Sequence, residues 1–171
     1  MENLLQSVQT VLATTPTRWL NLVETLPVEL LTRRPAPGEW SALECLHHLL
    51  DTERIVFPIR LQAFLDGRDL EAFDPEILGT PVSQEPADLA ATFAQRRAAS
   101  LAILAQVTAE DLSRTARHAE LGVVSLTQLL HQWAAHDLMH IVQAERAMMQ
   151  PFIAGTGPWR LYFADHEVKE Q

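Results

Sequence analysis

Apolar residues recur every three to four positions along four long stretches of the chain, the spacing of one-sided helices. In the first stretch, about residues 2–26, Leu4, Leu5, Val8, Val11, Leu12, Trp19, Leu22, Val23 and Leu26 share a face. Thr14, Thr15 and Pro16 interrupt it, and a proline there predicts a kink or a restart, because it has no N–H to donate. Pro27 opens a short turn leading to the connector Pro35-Ala36-Pro37-Gly38. A second helix should begin at Ser41, whose hydroxyl can cap the amide of Glu44 while Glu44 reaches back. Trp40 is placed to staple onto Cys45. The helix should run to about residue 65, bent at Pro58, and bury Ala42, Cys45, Leu46, Leu49, Val56, Ile59, Ala63 and Phe64. His48 falls on the margin of that stripe, and His47 on the opposite side with Asp51 and Arg54.

Asp66-Gly67-Arg68 ends this segment, and residues 69–84 form a polar connector of the kind that spans a bundle end or covers a site. A third helix is expected over about residues 86–107, with Pro86 in its first turn and Leu89, Phe93, Arg97, Ser100, Leu101 and Leu104 at helical spacing. Residues 113–124 read as a small hairpin or a lid. The fourth helix opens on a second capping box, Ser125-Leu126-Thr127-Gln128, with Val124 set to staple on Leu129, and runs to about residue 149. It buries Leu126, Leu129, Leu130, Trp133, Ile141, Ala144 and Met148. The aromatic run Gly157-Pro158-Trp159-Arg160-Leu161-Tyr162-Phe163 predicts a short helix packed on the rest. Four long amphipathic helices without a strand repeat make an all-α, single-domain four-helix bundle over residues 1–171.

Composition narrows the partners. The chain has 171 residues, 47% of them hydrophobic and 20% charged, as in a folded globular protein. A formal net charge of −9 argues against nucleic acid, which needs a lysine and arginine surface. No run approaches the roughly 20 apolar residues of a membrane span. The amino terminus has no basic region followed by an apolar stretch, so no signal peptide is expected. The single cysteine, Cys45, excludes an internal disulfide and fits a cytoplasmic compartment.

The histidines carry the chemistry. His136 and His140 lie one turn apart on the fourth helix, so their ring nitrogens can converge on one point. His140 falls within the buried stripe, His136 at its edge, and His131 points away. With His48 they would make three imidazoles from two helices, a donor set that leaves a metal with open positions. The alternative is a set of hydrogen-bonded core histidines without metal. Glu53 and Asp137 stand where a plain core would hold leucine. Each should either pair with an arginine or helix-end amides, or support the site by orienting a ligating imidazole. There is no Gly-x-Ser-x-Gly elbow and no phosphate-binding glycine loop.

These residues resemble a family. Gly38-Glu39-Trp40-Ser41 followed by Leu46-His47-His48-Leu49 and Asp51-x-Glu53 is similar to the second-helix signature of the DinB/YfiT-like superfamily. His136-Asp137-x-x-His140 with Gln143 is similar to its fourth-helix signature, and the Gly-Pro-Trp-Arg tail matches family members. The resemblance implies a four-helix bundle, often a homodimer, with a divalent metal held by His48, His136 and His140. Exposed apolar residues on the first helix would suit such a dimer. The implied cofactor is zinc, with nickel or iron next, and a small molecule is the implied substrate. Related branches include transferases and isomerases that use a low-molecular-weight thiol such as bacillithiol or mycothiol. A metal-dependent hydrolase is the competing reading, and a stress-related protein that binds metal or ligand without turnover is the third.

Overall fold

The computed structural model describes residues 2–71 and 85–168. The first helix, α1 (Glu2–Thr25), is followed by a short α2 (Val28–Thr32), then α3 (Ala42–Ile55) and α4 (Phe57–Asp66) in succession. After them come α5 (Pro86–Leu104), a 3-10 turn at Asp111–Ser113, a hairpin of β1 (Thr115–His118) and β2 (Gly122–Ser125), the long α6 (Leu126–Gly155) and a 3-10 segment, Gly157–Phe163. Most of the 69–84 connector, including its expected role as a cover, lies outside the described residues. No helix among the described residues is long and apolar enough to cross a membrane.

Four rods make the bundle: α1, α3 continued by α4, α5, and α6. Each of α1 and α3 packs against both α5 and α6. The order around the bundle is therefore α1, α5, α3, α6, which places α3 beside α6.

Both capping boxes form as their sequences require. Ser41 Oγ accepts from Glu44 N at 3.3 Å and Glu44 Oε2 accepts from Ser41 N at 2.8 Å. Ser125 and Gln128 repeat the pattern at 3.2 and 2.8 Å. At Pro58 the expected bend is a break. Val56 ends α3 and starts α4 with φ −118° and ψ −75°, and Pro58 falls in the first turn of the new helix, where no N–H is needed. One consequence is that Ile59, assigned from periodicity to the buried stripe, is 53% exposed.

At Pro16 the expected interruption does not occur, and α1 runs through it. The proline cannot donate to the carbonyl of Leu12, four residues earlier. The Leu12 oxygen instead accepts from Arg97 Nη1 at 3.0 Å. Arg97, 1% exposed, binds Asp137 through two hydrogen bonds, at 2.5 and 3.0 Å. Its Nη2 also lies 2.9 Å from Glu53 Oε2, an ion pair without the alignment of a hydrogen bond. One side chain of α5 thus ties α1, α3 and α6 together.

This charged layer divides the core. On one side Val8, Leu12, Phe57, Leu61, Phe64, Leu104, Leu130 and Trp133 pack together. On the other side Trp19, Leu46, Leu49, Leu50, Leu89, Phe93, Ile141 and Met148 do so. Along α3, α5 and α6 the residue between the two sets is Glu53, Arg97 or Asp137. The guanidinium lies over Phe93 and Trp133, one ring from each side.

Two surface expectations are corrected. The Gly157–Phe163 segment forms, but Trp159, Leu161 and Tyr162 are 66–74% exposed rather than packed on the bundle. The first helix contributes none of the large exposed apolar side chains among the described residues, because α5 and α6 cover its stripe. Those on the rods lie instead mainly on α6, at Leu138, Met139, Val142 and Phe152.

Candidate metal centre

His48 on α3 and His136 and His140 on α6 meet at the α3–α6 contact. One ligand nitrogen from each lies within 4.8 Å of the others, the sole cluster of this kind among the described residues. His48 Nε2 and His136 Nε2 are 3.0 Å apart. Tetrahedral bonds of about 2.05 Å put two donors roughly 3.3 Å apart, so this spacing suits a shared ion. Ring centroids are separated by 4.5–5.1 Å.

The surroundings keep the imidazoles neutral, the form that coordinates metal. Burial lowers the His48 pKa to about 4, helped by the neighbouring His140. Burial also lowers His136 to about 3, with contributions from His140, His48 and the Arg97 charge. His140 is lowered by burial as well, against a hydrogen bond to Gln143 and the charge of Asp137. The His140 Nδ1–Gln143 Oε1 contact is 2.8 Å, which makes Nδ1 the donor and leaves Nε2 its lone pair. His136 Nδ1 is buried without a hydrogen-bond partner, and the Phe57 ring packs edge-on against His136 at 5.2 Å.

Trp40 closes the other side. Its ring lies 5.0 Å from that of His48 and stacks on His140 at 5.7 Å and 18°. Periodicity assigned this tryptophan a staple onto Cys45 and so missed its contact with the site. Phe57 was missed too, because the helix break that aims it is invisible in the hydrophobic pattern. Beside the cluster lies an open cleft of about 770 Å³, lined by Trp40 and Gln143, two of the residues that touch the histidines, and by Met139, Val142, Arg146 and Ala147.

His47 corrects the helical-wheel reading. It does not face solvent but is 8% exposed, with neither ring nitrogen hydrogen-bonded. The segment carrying Thr32 and Arg34 lies beside it across a small cavity. A wheel treats the far side of α3 as solvent and does not include the chain that returns over it. His131 is exposed, as expected. Glu53 and Asp137 are both engaged by Arg97, and neither is hydrogen-bonded to a ligand histidine. Arg97, an arginine within the apolar repeat of α5, was the sequence signal for that pairing. Cys45 is buried, its thiol pKa raised to about 12 chiefly by burial, so it is no nucleophile.

The family model described as the DinB superfamily matches residues 12–144. The chain belongs to the DinB superfamily. No curated protein matches its sequence. Among solved structures, the DinB-superfamily bundle resembles one described as "YfiT from Bacillus subtilis is a probable metal-dependent hydrolase with an unusual four-helix bundle topology". The two share 19% identity and a TM-score of 0.74, over 86% of this chain and 87% of that one. At that identity the likeness establishes the fold. The three histidines that the family resemblance singled out are the ones the fold brings together.

Proposed function

We propose that this DinB-superfamily protein is a metal-dependent enzyme acting on a small organic substrate, with His48, His136 and His140 holding a divalent cation. Its reaction is transfer or isomerisation with a low-molecular-weight thiol. The convergence of three neutral imidazoles under Trp40, whose ring also lines the neighbouring open cleft, carries this reading. A divalent cation there, zinc first and nickel or iron with the same donors, supplies a Lewis acid that lowers the pKa of a thiol or water at its open position.

The chain's own residues do the rest. Gln143 fixes the ring of His140, Phe57 backs His136, and Trp40 shields the site from bulk water. Met139 and Val142 offer the cleft an apolar wall for the body of a substrate. The carboxylates buried in the core, Glu53 and Asp137, are bound to Arg97, so neither is free to act as a general base on water. A thiol needs less help, because its ordinary pKa of about 8.5 is already near neutrality. Hydrolysis is the second reading, supported by the likeness to YfiT, itself described as a probable metal-dependent hydrolase.

The test uses zinc-loaded protein with monochlorobimane and each low-molecular-weight thiol in turn, beside a panel of esters and amides without thiol. Thiol-dependent turnover that His136→Ala abolishes supports transfer. Turnover of an ester or amide alone replaces it with hydrolysis. Silence in both panels, with metal bound, makes the protein a binder.

A further inference from the structure

Arg60 and His118 face each other in a second cleft, about 460 Å³, one helical turn from the metal centre. Arg60 follows Phe57 by three residues on α4, and Gln132, which also lines the cleft, precedes His136 by four on α6. The hairpin supplies His118, held in place by the pairing of Leu70 beside it.

Arg60 Nη2 lies 3.1 Å from His118 Nε2. His118 Nδ1 receives the main-chain N–H of Glu120 at 3.2 Å and of Leu121 at 3.4 Å. A ring nitrogen that accepts carries no proton, so the proton of the neutral ring is on Nε2. A guanidinium has donors only. The contact therefore sets one N–H against another. The opposite tautomer is worse, since it would put a ring N–H against two main-chain N–H groups. His118 is 6% exposed, and the surface it keeps lines the cleft.

One oxygen about 2.8 Å from both nitrogens would satisfy the pair. Charge points the same way: no carboxylate among the described residues lies within ion-pair distance of Arg60, and Glu120 attracts it only from farther off. The walls are mainly apolar, with Leu70, Val123, Val124 and Leu129, and the amides of Gln128 and Gln132 stand alongside. We infer that this cleft binds the carboxylate of a small organic acid between Arg60 and His118, with the acid's apolar body against Leu70, Val124 and Leu129. A single cation beside apolar walls suits a monoanion with a hydrocarbon body better than inorganic phosphate.

The experiment titrates the full-length protein, with and without zinc, using hexanoate, hexanol and inorganic phosphate. Binding is read by calorimetry and by the ring resonances of His118. Hexanoate is expected to bind saturably and move those resonances whether or not zinc is present. Hexanol should bind at least about tenfold more weakly, the loss expected for one charge-assisted contact, and Arg60→Met should weaken hexanoate to a similar degree. Absence of saturable hexanoate binding overturns the inference, as does equal binding of hexanol or of phosphate. Hexanoate binding that zinc creates would place the acid on the metal and equally overturn it. Should Arg60→Met not fold, the comparison of hexanoate with hexanol on the unaltered protein decides.

Discussion

Replacing Arg97 by methionine should damage this protein more than most single changes. Methionine approximates the length of the arginine stem and can still lie between Phe93 and Trp133. What disappears is the cation that Glu53 and Asp137 share, together with the donor to the Leu12 carbonyl. The two carboxylates are 2% and 1% exposed, so water cannot take the arginine's place. Breaking a buried ion pair from one side costs about 3–5 kcal/mol, a large share of the roughly 5–15 kcal/mol that holds a domain folded. In a chain of this size each kcal/mol moves the melting temperature by about 2–4 °C, giving a fall of roughly 6–20 °C. In the folded protein the Arg97 pKa is raised: burial alone would lower it, but the hydrogen bonds of Asp137 and the charges of both carboxylates outweigh that. The assay is urea unfolding followed by far-UV circular dichroism, with thermal melts beside it. Adding Glu53→Gln and Asp137→Asn to Arg97→Met should recover part of the loss, since the unpaired charges are then gone. A loss below about 1 kcal/mol for Arg97→Met, no more than an ordinary hydrogen bond, would refute the reasoning.

Metal affinity should ignore pH where ordinary histidines titrate. His48 and His136 are lowered to about 4 and about 3, so protons compete for their nitrogens only as the pH falls toward those values. His140 is lowered in the same direction, so zinc affinity should begin to fall only below about pH 6.5, the unperturbed value, whereas a decline already under way at that pH would contradict the neutral cluster. The same shifts bear on metal-free stability. Unfolded histidines bind protons below about 6.5 and the folded ones do not, so stability should decrease as the pH falls from there toward 4, as urea midpoints will show. Cys45 should resist Ellman's reagent in the native protein and react once unfolded, and Cys45→Ser should leave thiol-dependent turnover unchanged; rapid native labelling would contradict its burial. Trp40 should report on the site: nickel(II) should quench its fluorescence, and Trp40→Phe should remove most of that quenching, leaving the buried Trp19 and Trp133 and the exposed Trp159 as the residual signal.

What the sequence revealed and what it hid follow from the range of the forces involved. Helix starts at Ser41 and Ser125 were legible because a capping box is decided within four residues. The α6 stripe, Leu126 through Met148, was legible because burial on a long uninterrupted helix obeys one period. Period fails where a helix restarts, as at Val56, which turned Ile59 outward and Phe57 inward. It fails too where distant chain supplies the missing piece: Arg97 caps the carbonyl that Pro16 leaves open, and nothing local to α1 announces this. His47 illustrates the same limit, since the end of α2 and the chain after it, not one of the four rods, lie beside it. The three histidines were identified by spacing and by family resemblance together. Their meeting required α3 beside α6, a neighbour relation that only the fold could supply.

Metal content is the decisive measurement. Protein purified without a histidine tag, loaded with zinc and freed of excess, should carry about one equivalent per chain, held by three imidazoles, and His136→Ala should lose it while remaining folded. Under about a tenth of an equivalent in the unaltered protein, or equal retention in His136→Ala, would contradict the metal centre.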